Sequence, residues 1–427
     1  MKFRMPVLAF LAAATLSACG GDSAPSKFTL AVIGDTPYGA SPTDTAELDT
    51  LPAFISAINA DTDVSMVVHT GDIHSGKQYC TDTFNQAVAQ AWTAFKTPLI
   101  YTPGDNEWMD CHKKKEGGGL YNAATNAIDY VMNGTAFASY AKGDPLANLD
   151  LVRSIFFKSP GKTLGKSMDV HSQASDYNKS YPNDSKYVEN TWFEKTGVMF
   201  ATANVPGGSN NGTDPWYSVP AMTAAQTQEV SDRTGATLRW LDLVFSTAKS
   251  NGDIAIVLTI QADLWDLDGK NMSDMHLTEH KQYIDKLASL TAGFGKPVLL
   301  INGDSHLYRS DNPLVRNDSC KIEVPSLSTA SKSVNTTTCA NSVANGALKD
   351  IVLAGNPTDP YLTVQDKTNS AYVPSYSVPN FHRIAVHGNA TPSGTYKEYI
   401  KLTVDPAANN ATSENAFGPF SWVRVQP

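Results

Sequence analysis

The sequence predicts an α/β fold, in which buried strands alternate with amphipathic helices. Four hydrophobic runs each end in a Gly-Asp pair, so each pair sets a carboxylate just past the end of a predicted strand. Segments with helical spacing lie between the first three runs, which is the order expected of a parallel sheet. Glycine permits the sharp turn that follows each strand. The four carboxylates are those of Asp35, Asp72, Asp105 and Asp304.

Residues 28–110 predict a β-α-β-α-β unit. Apolar residues recur at helical spacing over residues 48–60 and 83–96. These two segments are therefore expected to be helices that pack on the sheet.

Residues 112–195 are polar and rich in Ser, Asn and Lys, and they predict an insertion beside the rim of the site. Only residues 128–132 and 149–157 have the pattern of ordered elements. The run of three lysines at residues 113–115 either attracts anions to the site or belongs to a solvated surface loop.

The second half returns to alternating elements. Strands are expected at residues 198–204, 254–260 and just before Asp304, with helices at residues 233–249 and 279–290. Residues 383–387 and 396–404 alternate polar and apolar side chains. They are expected to be antiparallel strands of a second sheet.

The four carboxylates are predicted to form a metal site. Ligands of open α/β sheets collect at the carboxyl ends of the strands. Carboxylates that converge there repel one another unless cations lie between them. The alternative is that the four residues are helix N-caps or turn carboxylates.

The order of these motifs resembles that of the calcineurin-like metallophosphoesterases, over about residues 28 to 310. That family's pattern runs Asp-x-His, Gly-Asp-x-x-(Asp/His/Tyr), Gly-Asn-His-(Asp/Glu), a lone His and Gly-His-x-His, each at a strand end. The corresponding stretches here are Asp35-Thr-Pro37, Gly71-Asp-Ile-His74, Gly104-Asp-Asn-Glu107, Gln261 or Asp263, and Gly303-Asp-Ser-His306.

Several residues depart from the family's pattern. Pro37 stands in place of the first motif's His, and Asp105 in place of the Asn ligand. Asn106 replaces the catalytic His, and Asp304 replaces the first His of the last motif.

The resemblance implies a four-layer α/β/β/α sandwich with a rim insertion and a site for two divalent metal ions. Asp72 would bridge the two ions. One ion would also take Asp35 and His306, and the other Asp105, Asp304 and either Gln261 or Asp263. A set of ligands made almost entirely of oxygen favours Mg²⁺, Mn²⁺ or Ca²⁺ over Zn²⁺. The nearby Tyr38 and His74 are alternative ligands.

The catalytic candidates are Asn106, His74 and Arg309. Asn106 donates a hydrogen bond but cannot transfer a proton, so His74 or His112 would serve as the acid, unless only good leaving groups are cleaved or catalysis is lost. Arg309 is expected to bind a substrate phosphate or to be a structural ion-pair partner. Glu107 is expected to orient a neighbour of the metal ligands.

The first 19 residues resemble a bacterial lipoprotein signal peptide. A short basic region precedes an apolar stretch too short to span a bilayer, and Leu16-Ser-Ala-Cys19 resembles a lipobox. Cys19 is then the lipidated residue, residues 20–27 a tether and residues 28–427 the folded domain. Gly20 favours the outer membrane, facing the periplasm. The alternative is an ordinary secretory signal.

Four further cysteines are present at positions 80, 111, 320 and 339. An even number in an oxidising compartment predicts two disulfides, for which three pairings exist. The most local pairing joins Cys80 to Cys111 and Cys320 to Cys339. The alternative of a zinc–thiolate site lacks any Cys-x-x-Cys spacing.

The net charge is −9, and removal of residues 1–19 takes Lys2 and Arg4 with it and leaves −11. An acidic chain is a poor binder of nucleic acid, so no nucleic-acid role is expected. Any affinity for phosphate must then come from the metal ions.

The expected function is hydrolysis of a phosphomonoester or phosphodiester in the cell envelope. The substrate would be a phosphorylated small molecule or an envelope component. One alternative is a catalytically inactive lipoprotein of the same fold that binds a ligand or partner. Another is a metal-dependent hydrolase that acts on a different bond.

Overall fold

The computed structural model describes residues 26–265, 274–315, 318–324, 335–339, 377–388 and 397–427. Two β-sheets pack face to face, and helices cover the outer face of each. This is the four-layer α/β/β/α sandwich that the sequence predicts, and the fold class is confirmed. The predicted leader and tether, residues 1–19 and most of 20–27, lie outside the described residues.

The strands, in chain order, are β1 (Phe28–Ile33), β2 (Met66–His69), β3 (Pro98–Tyr101), β4 (Gly119–Asn122), β5 (Ala127–Tyr130), β6 (Met132–Asn133), β7 (Ala136–Phe137), β8 (Leu164–Gly165), β9 (His171–Ser172), β10 (Thr191–Lys195), β11 (Val198–Thr202), β12 (Ala255–Thr259), β13 (Val298–Asn302), β14 (Arg309–Asp311), β15 (Cys320–Glu323), β16 (Thr336–Thr338), β17 (Phe381–Ala385), β18 (Tyr399–Val404), β19 (Asn410–Ser413), β20 (Ala416–Gly418) and β21 (Phe420–Val425).

The helices are α1 (Ala46–Ala60), α2 (Asp82–Trp92), α3 (Pro145–Phe156), α4 (Ala224–Asn251) and α5 (Asp274–Phe294). A single helical turn covers Gly207–Asn210, and short 3₁₀ turns cover Asp110–His112, Lys114–Glu116, Tyr140–Gly143, Pro182–Lys186 and Trp216–Ser218.

The first sheet has the order β19-β20-β21-β18-β1-β2-β3-β8. Its centre is parallel, because β1 pairs with β2 and β2 with β3 in the same direction. The second sheet has the order β16-β15-β14-β17-β13-β12-β11-β10-β9, and β11, β12, β13 and β17 run parallel. The acidic turns after β1, β2, β3 and β13 therefore lie at the carboxyl ends of parallel strands.

Alternation along the central strands builds the layers. In β1, Leu30 and Val32 face the core between the two sheets, whereas Ala31 and Ile33 face α1 and α2. The second sheet has its own outer core with α4 and α5, in which Trp240 packs. Strands buried on both faces explain why the sequence shows continuous apolar runs there.

Two strands in the last third of the chain correct the sequence prediction. The strands expected at residues 383–387 and 396–404 correspond to β17 and β18, which are not antiparallel neighbours in one sheet. β17 pairs parallel with β13 in the second sheet, and β18 pairs antiparallel with β1 in the first. The sequence pattern describes each strand's two faces but not its partner, because pairing depends on the path of the intervening chain.

The polar segment 112–195 contains more structure than its pattern predicts. It holds α3, the hairpins β4–β5 and β6–β7, and short strands at the edges of both sheets. Short edge strands bury few side chains, so they leave little periodicity to detect. Whether this segment is an insertion in the family's sense stays a prediction.

The predicted local disulfides are confirmed: Cys80 bonds to Cys111, and Cys320 to Cys339. Among the residues that the structure describes, no helix has the length and apolar character needed to cross a membrane.

Candidate metal centre

Three of the acidic turns place their aspartates in the left-handed backbone region. The φ angles are +51° at Asp35, +59° at Asp72 and +73° at Asp304. A residue with a side chain adopts this region at a cost, which the surrounding structure must offset, and such residues cluster at functional sites. A hydrogen bond ties two of the turns together, since the Asp304 backbone N–H donates to the side-chain Oδ1 of Asp35 at 3.0 Å.

Asp35, Asp72 and His306 form a compact group of ligand atoms. One carboxylate oxygen of each aspartate and one ring nitrogen of His306 all lie within 4.8 Å of one another. Both aspartates are buried, and His306 is one-third exposed. The structure thus brings together the three residues that the sequence assigns to one ion.

The Tyr38 hydroxyl lies at the middle of this group. It is 2.9 Å from Asp72 Oδ2, 3.1 Å from His306 Nε2 and 3.4 Å from Asp35 Oδ1. Asn106 Nδ2 also approaches this hydroxyl, at 3.3 Å. The sequence suggests Tyr38 only as an alternative ligand, and its central position comes from the turn after β1.

Asp105 and Gln261 meet from opposite sheets. Gln261 Nε2 donates to Asp105 Oδ1 at 3.0 Å, and Gln261 Oε1 accepts the Gly207 N–H at 2.5 Å. In this arrangement the nitrogen of the Gln261 amide orients Asp105, and the oxygen of the same amide accepts a hydrogen bond from Gly207. The alternative ligand Asp263 forms an ion pair with the buried Arg383, and its own N–H donates to Asp304 Oδ2 at 3.1 Å.

Two glycines after β11 let the chain pass close to the carboxylates. A Cβ on Gly207 would stand 2.5 Å from Asp304 Oδ1, and one on Gly208 would stand 3.2 Å from Asp105 Oδ2. The sequence marks this Pro-Gly-Gly turn only as a loop at a strand end. Its contact with the site could not be read from the sequence, because β11 belongs to the other sheet from Asp105.

Glu107 fixes the turn that carries Asp72. Its Oε1 accepts the N–H groups of Gly104 at 2.6 Å and Asp72 at 3.2 Å, and the Tyr101 hydroxyl at 2.5 Å. A buried carboxylate that holds two backbone turns has an orienting role.

The electrostatics of the cluster fit bound cations. Burial, reinforced by the neighbouring carboxylates, raises the pKa of Asp35 to about 8 and that of Asp72 well above its usual range. Burial and then the Asp110 carboxylate raise the pKa of Asp105 to about 6. Asp35 Oδ2 is buried without a hydrogen-bond partner among the described residues. Divalent ions would supply both the missing partner and the missing positive charge.

Two of the three catalytic candidates do not face this cluster. His74 is fully buried against the Cys80–Cys111 disulfide, and its Nδ1 lies 3.3 Å from the Ser75 carbonyl oxygen. Arg309 lies in β14 and is buried. Its guanidinium forms an ion pair with Asp311, with 3.4 Å between Nη1 and Oδ2.

Asn106 does face the cluster, since its Nδ2 donates to Asp72 Oδ2 at 3.0 Å and its N–H donates to Oδ1 at 3.3 Å. The alternative acid His112 is buried and accepts the Tyr217 N–H at 2.9 Å. Burial lowers the pKa values of His74 and His112 to about 4.

Comparison with known proteins identifies a family. The family model described as calcineurin-like phosphoesterase matches residues 28–258. A solved structure of a purple acid phosphatase from yellow lupin (Lupinus luteus) seeds matches with 12% sequence identity and a TM-score of 0.30. The match covers 69% of this chain and 40% of the lupin chain. None of the curated proteins matches this chain.

Proposed function

This chain belongs to the calcineurin-like phosphoesterase family of metal-dependent phosphoric ester hydrolases, and on that basis we propose that it hydrolyses a phosphomonoester or phosphodiester. The family implies a dinuclear site for divalent metal ions. The observation that carries the proposal is the compact buried group of Asp35, Asp72 and His306, whose ligand atoms lie within 4.8 Å of one another.

One ion would be held by Asp35, Asp72 and His306. The other would be held by Asp72, Asp105 and Asp304, so Asp72 serves both. In this assignment Gln261 supports Asp105 through its amide, and it becomes a ligand only if that amide turns over. Hydrogen bonds from Asn106 and Tyr38 keep Asp72 in place.

When bound, the two ions would polarise the phosphoryl oxygens and make water a better nucleophile. The chain's own contribution is to aim the ligands and to donate hydrogen bonds from Asn106 and Tyr38 beside the reacting phosphate. Because Asn106 cannot protonate a leaving group, esters with good leaving groups would be cleaved best.

The ligands favour hard cations. Five of the six assigned positions, counting Asp72 twice, offer carboxylate oxygen, and His306 alone offers nitrogen. Carboxylate-rich sites prefer Mg²⁺, Mn²⁺ or Ca²⁺, whereas imidazole and thiolate favour Zn²⁺.

We also propose a location in the bacterial cell envelope, with the domain anchored by a lipid on Cys19 and facing the periplasm from the outer membrane. The lipobox-like residues and the two disulfides support this location. The substrate would be a phosphorylated small molecule or envelope component.

Replacing Cys19 by Ser should release the protein from the membrane fraction, because the lipid would have no attachment site. If the variant stays in the membrane fraction, the proposed lipid anchor is wrong.

The second candidate is a non-catalytic protein that binds a ligand or partner through the same site. Its support is Asn106, which occupies the turn after β3 where the family has a catalytic His. Such a protein would bind metal and phosphate but would not turn over.

Hydrolysis of 4-nitrophenyl phosphate and bis(4-nitrophenyl) phosphate separates the two candidates. The metal-free protein is reloaded with Mg²⁺, Mn²⁺, Ca²⁺ or Zn²⁺, and Asp72→Asn serves as the inactive control. We expect turnover with at least one hard cation and none with the control. Binding of metal and phosphate without turnover would favour the second candidate.

A further inference from the structure

Lys115 places its ammonium beside the metal centre. Gly76 lies in the loop after β2, and a Cβ there would stand 3.1 Å from Lys115 Nζ and 3.2 Å from Asn106 Oδ1. The other end of the Asn106 amide donates to Asp72 Oδ2 at 3.0 Å. The Asn106 side-chain amide therefore lies between the Asp72 carboxylate and the space next to the Lys115 ammonium. Gly76 has no side chain to fill that space.

A buried carboxylate stands on the far side of this ammonium. Glu116 is fully buried, and Lys115 Nζ is 3.5 Å from its Oε1. Neither oxygen of Glu116 has a hydrogen-bond partner among the described residues, and Oε1 also lies 3.4 Å from the position of a Gly76 Cβ. A buried carboxylate left without hydrogen bonds is costly, and the nearby positive charge of Lys115 offsets part of that cost, so the ion pair keeps the ammonium at this corner.

The charge of Lys115 is available to a ligand. Its side chain is 60% exposed, so a solute reaches it from the solvent. Burial, and then the Asp110 carboxylate, raise the pKa of Glu116 well above its usual range. Glu116 therefore cancels less of the ammonium charge than an ordinary carboxylate would. Lys113, in contrast, forms an ion pair with Asp110, with 2.5 Å between Nζ and Oδ2.

We propose that Lys115 binds a second phosphoryl group of the substrate, next to the one held at the metal centre. The substrates would then be phosphate compounds that carry a second phosphoryl group. This inference rests on the proposed function, because it needs the first phosphate to lie at the metal ions. In a chain of charge −9, a single well-placed ammonium would have a clear effect on which anions bind.

The test compares inorganic phosphate with inorganic pyrophosphate as ligands of the Mn²⁺-loaded protein, by titration calorimetry. We expect Lys115→Ala to weaken pyrophosphate binding about tenfold, which corresponds to about 1.4 kcal/mol. Phosphate binding should change less than about twofold, because phosphate does not reach Lys115. Glu116→Gln should leave pyrophosphate binding at least as tight as in the wild type, because the amide keeps the shape of the side chain and places no negative charge beside the ammonium.

Lys114→Ala is the matched control, because Lys114 is the neighbouring lysine, exposed and with the same charge. It should leave both affinities within about twofold of the wild type. The inference is overturned if Lys115→Ala weakens pyrophosphate no more than Lys114→Ala does while phosphate still binds. If the wild type binds neither anion, the proposed function fails together with the inference.

Discussion

At the scale of single residues, Asp72 has the largest expected effect on metal binding. It is buried, shares a compact group of ligand atoms with Asp35 and His306, and receives hydrogen bonds from Tyr38 and Asn106. In the proposed assignment it serves both ions. We expect Asp72→Ala to remove metal from both positions, whereas Asp304→Ala should leave one ion bound. Metal content by elemental analysis checks this. Normal content in Asp72→Ala would mean that it is not a shared ligand.

A pair of reversions tests the substitutions that set this chain apart from its family. Asn106→His with Asp304→His should shift metal preference towards Mn²⁺ or Zn²⁺, since imidazole favours those ions. It should also raise turnover of esters with poor leaving groups, by up to about 10²-fold, because a proton donor is again present. Rates for an aryl and an alkyl phosphate measure this. If the alkyl ester gains nothing, Asn106 does not occupy the position of the acid.

At the scale of elements, the turn after β11 controls how closely the second sheet approaches the carboxylates. A Cβ on Gly207 would stand 2.5 Å from Asp304 Oδ1, so Gly207→Ala must displace that carboxylate or the turn. We expect metal affinity to fall roughly 10–100-fold, as for other changes to the support of a metal ligand.

Gly293→Ala is the control for this prediction. Gly293 lies in α5, and no atom is within 4 Å of where its Cβ would be. Alanine there should leave metal affinity unchanged and stabilise the helix by about 0.5–1 kcal/mol. Equal metal affinities in the two variants would show that the close approach at Gly207 has no role.

The disulfide between Cys80 and Cys111 joins the element after β2 to the one after β3. It closes a segment with a sequence separation of 31, and replacing both cysteines by Ser should cost about 2–4 kcal/mol in the free energy of unfolding. Because the two turns carry Asp72 and Asp105, we expect weaker metal binding as well. Urea unfolding and metal titration measure the two effects. Replacing Cys320 and Cys339 by Ser is the control. It should lower the free energy of unfolding but leave metal binding unchanged.

At the scale of the whole molecule, buried carboxylates make the metal-free protein sensitive to alkaline pH. Burial raises the pKa values of Asp35 and Glu47 to about 8, so each binds a proton more tightly in the folded state than in the unfolded state. Their contribution to stability is therefore complete below their ordinary pKa and is lost as pH rises through about 8.

Buried histidines have the opposite effect on stability. Burial lowers the pKa values of His69 and His74 to about 4, so they lower the free energy of unfolding only as pH falls below about 6.5, where the unfolded chain gains protons that the folded chain does not. We therefore expect the Tm of the metal-free protein to fall from about pH 7 to 8.5, and to fall less when Mn²⁺ is bound. Calorimetric scans with and without metal check this. Equal slopes would show that the ions do not neutralise the cluster.

The sequence by itself determined the central strands of both sheets, most of the helices that cover them and the acidic turns at the strand ends. These features depend on local periodicity and on residues next to one another in the chain, so Asp35, Asp72, Asp105 and Asp304 could be found without coordinates. The same local pattern could not assign β17 and β18 to different sheets.

Only the tertiary structure decided which side chains meet. Tyr38 at the centre of the cluster, Gly207 against Asp304 and Lys115 beside Gly76 bring together residues far apart in the chain. It also turned His74 and Arg309 away from the cluster, into the surroundings of a disulfide and of Asp311. The physical reason is that a side chain's direction depends on the packing of its strand or turn against other elements, which spacing in the sequence does not encode.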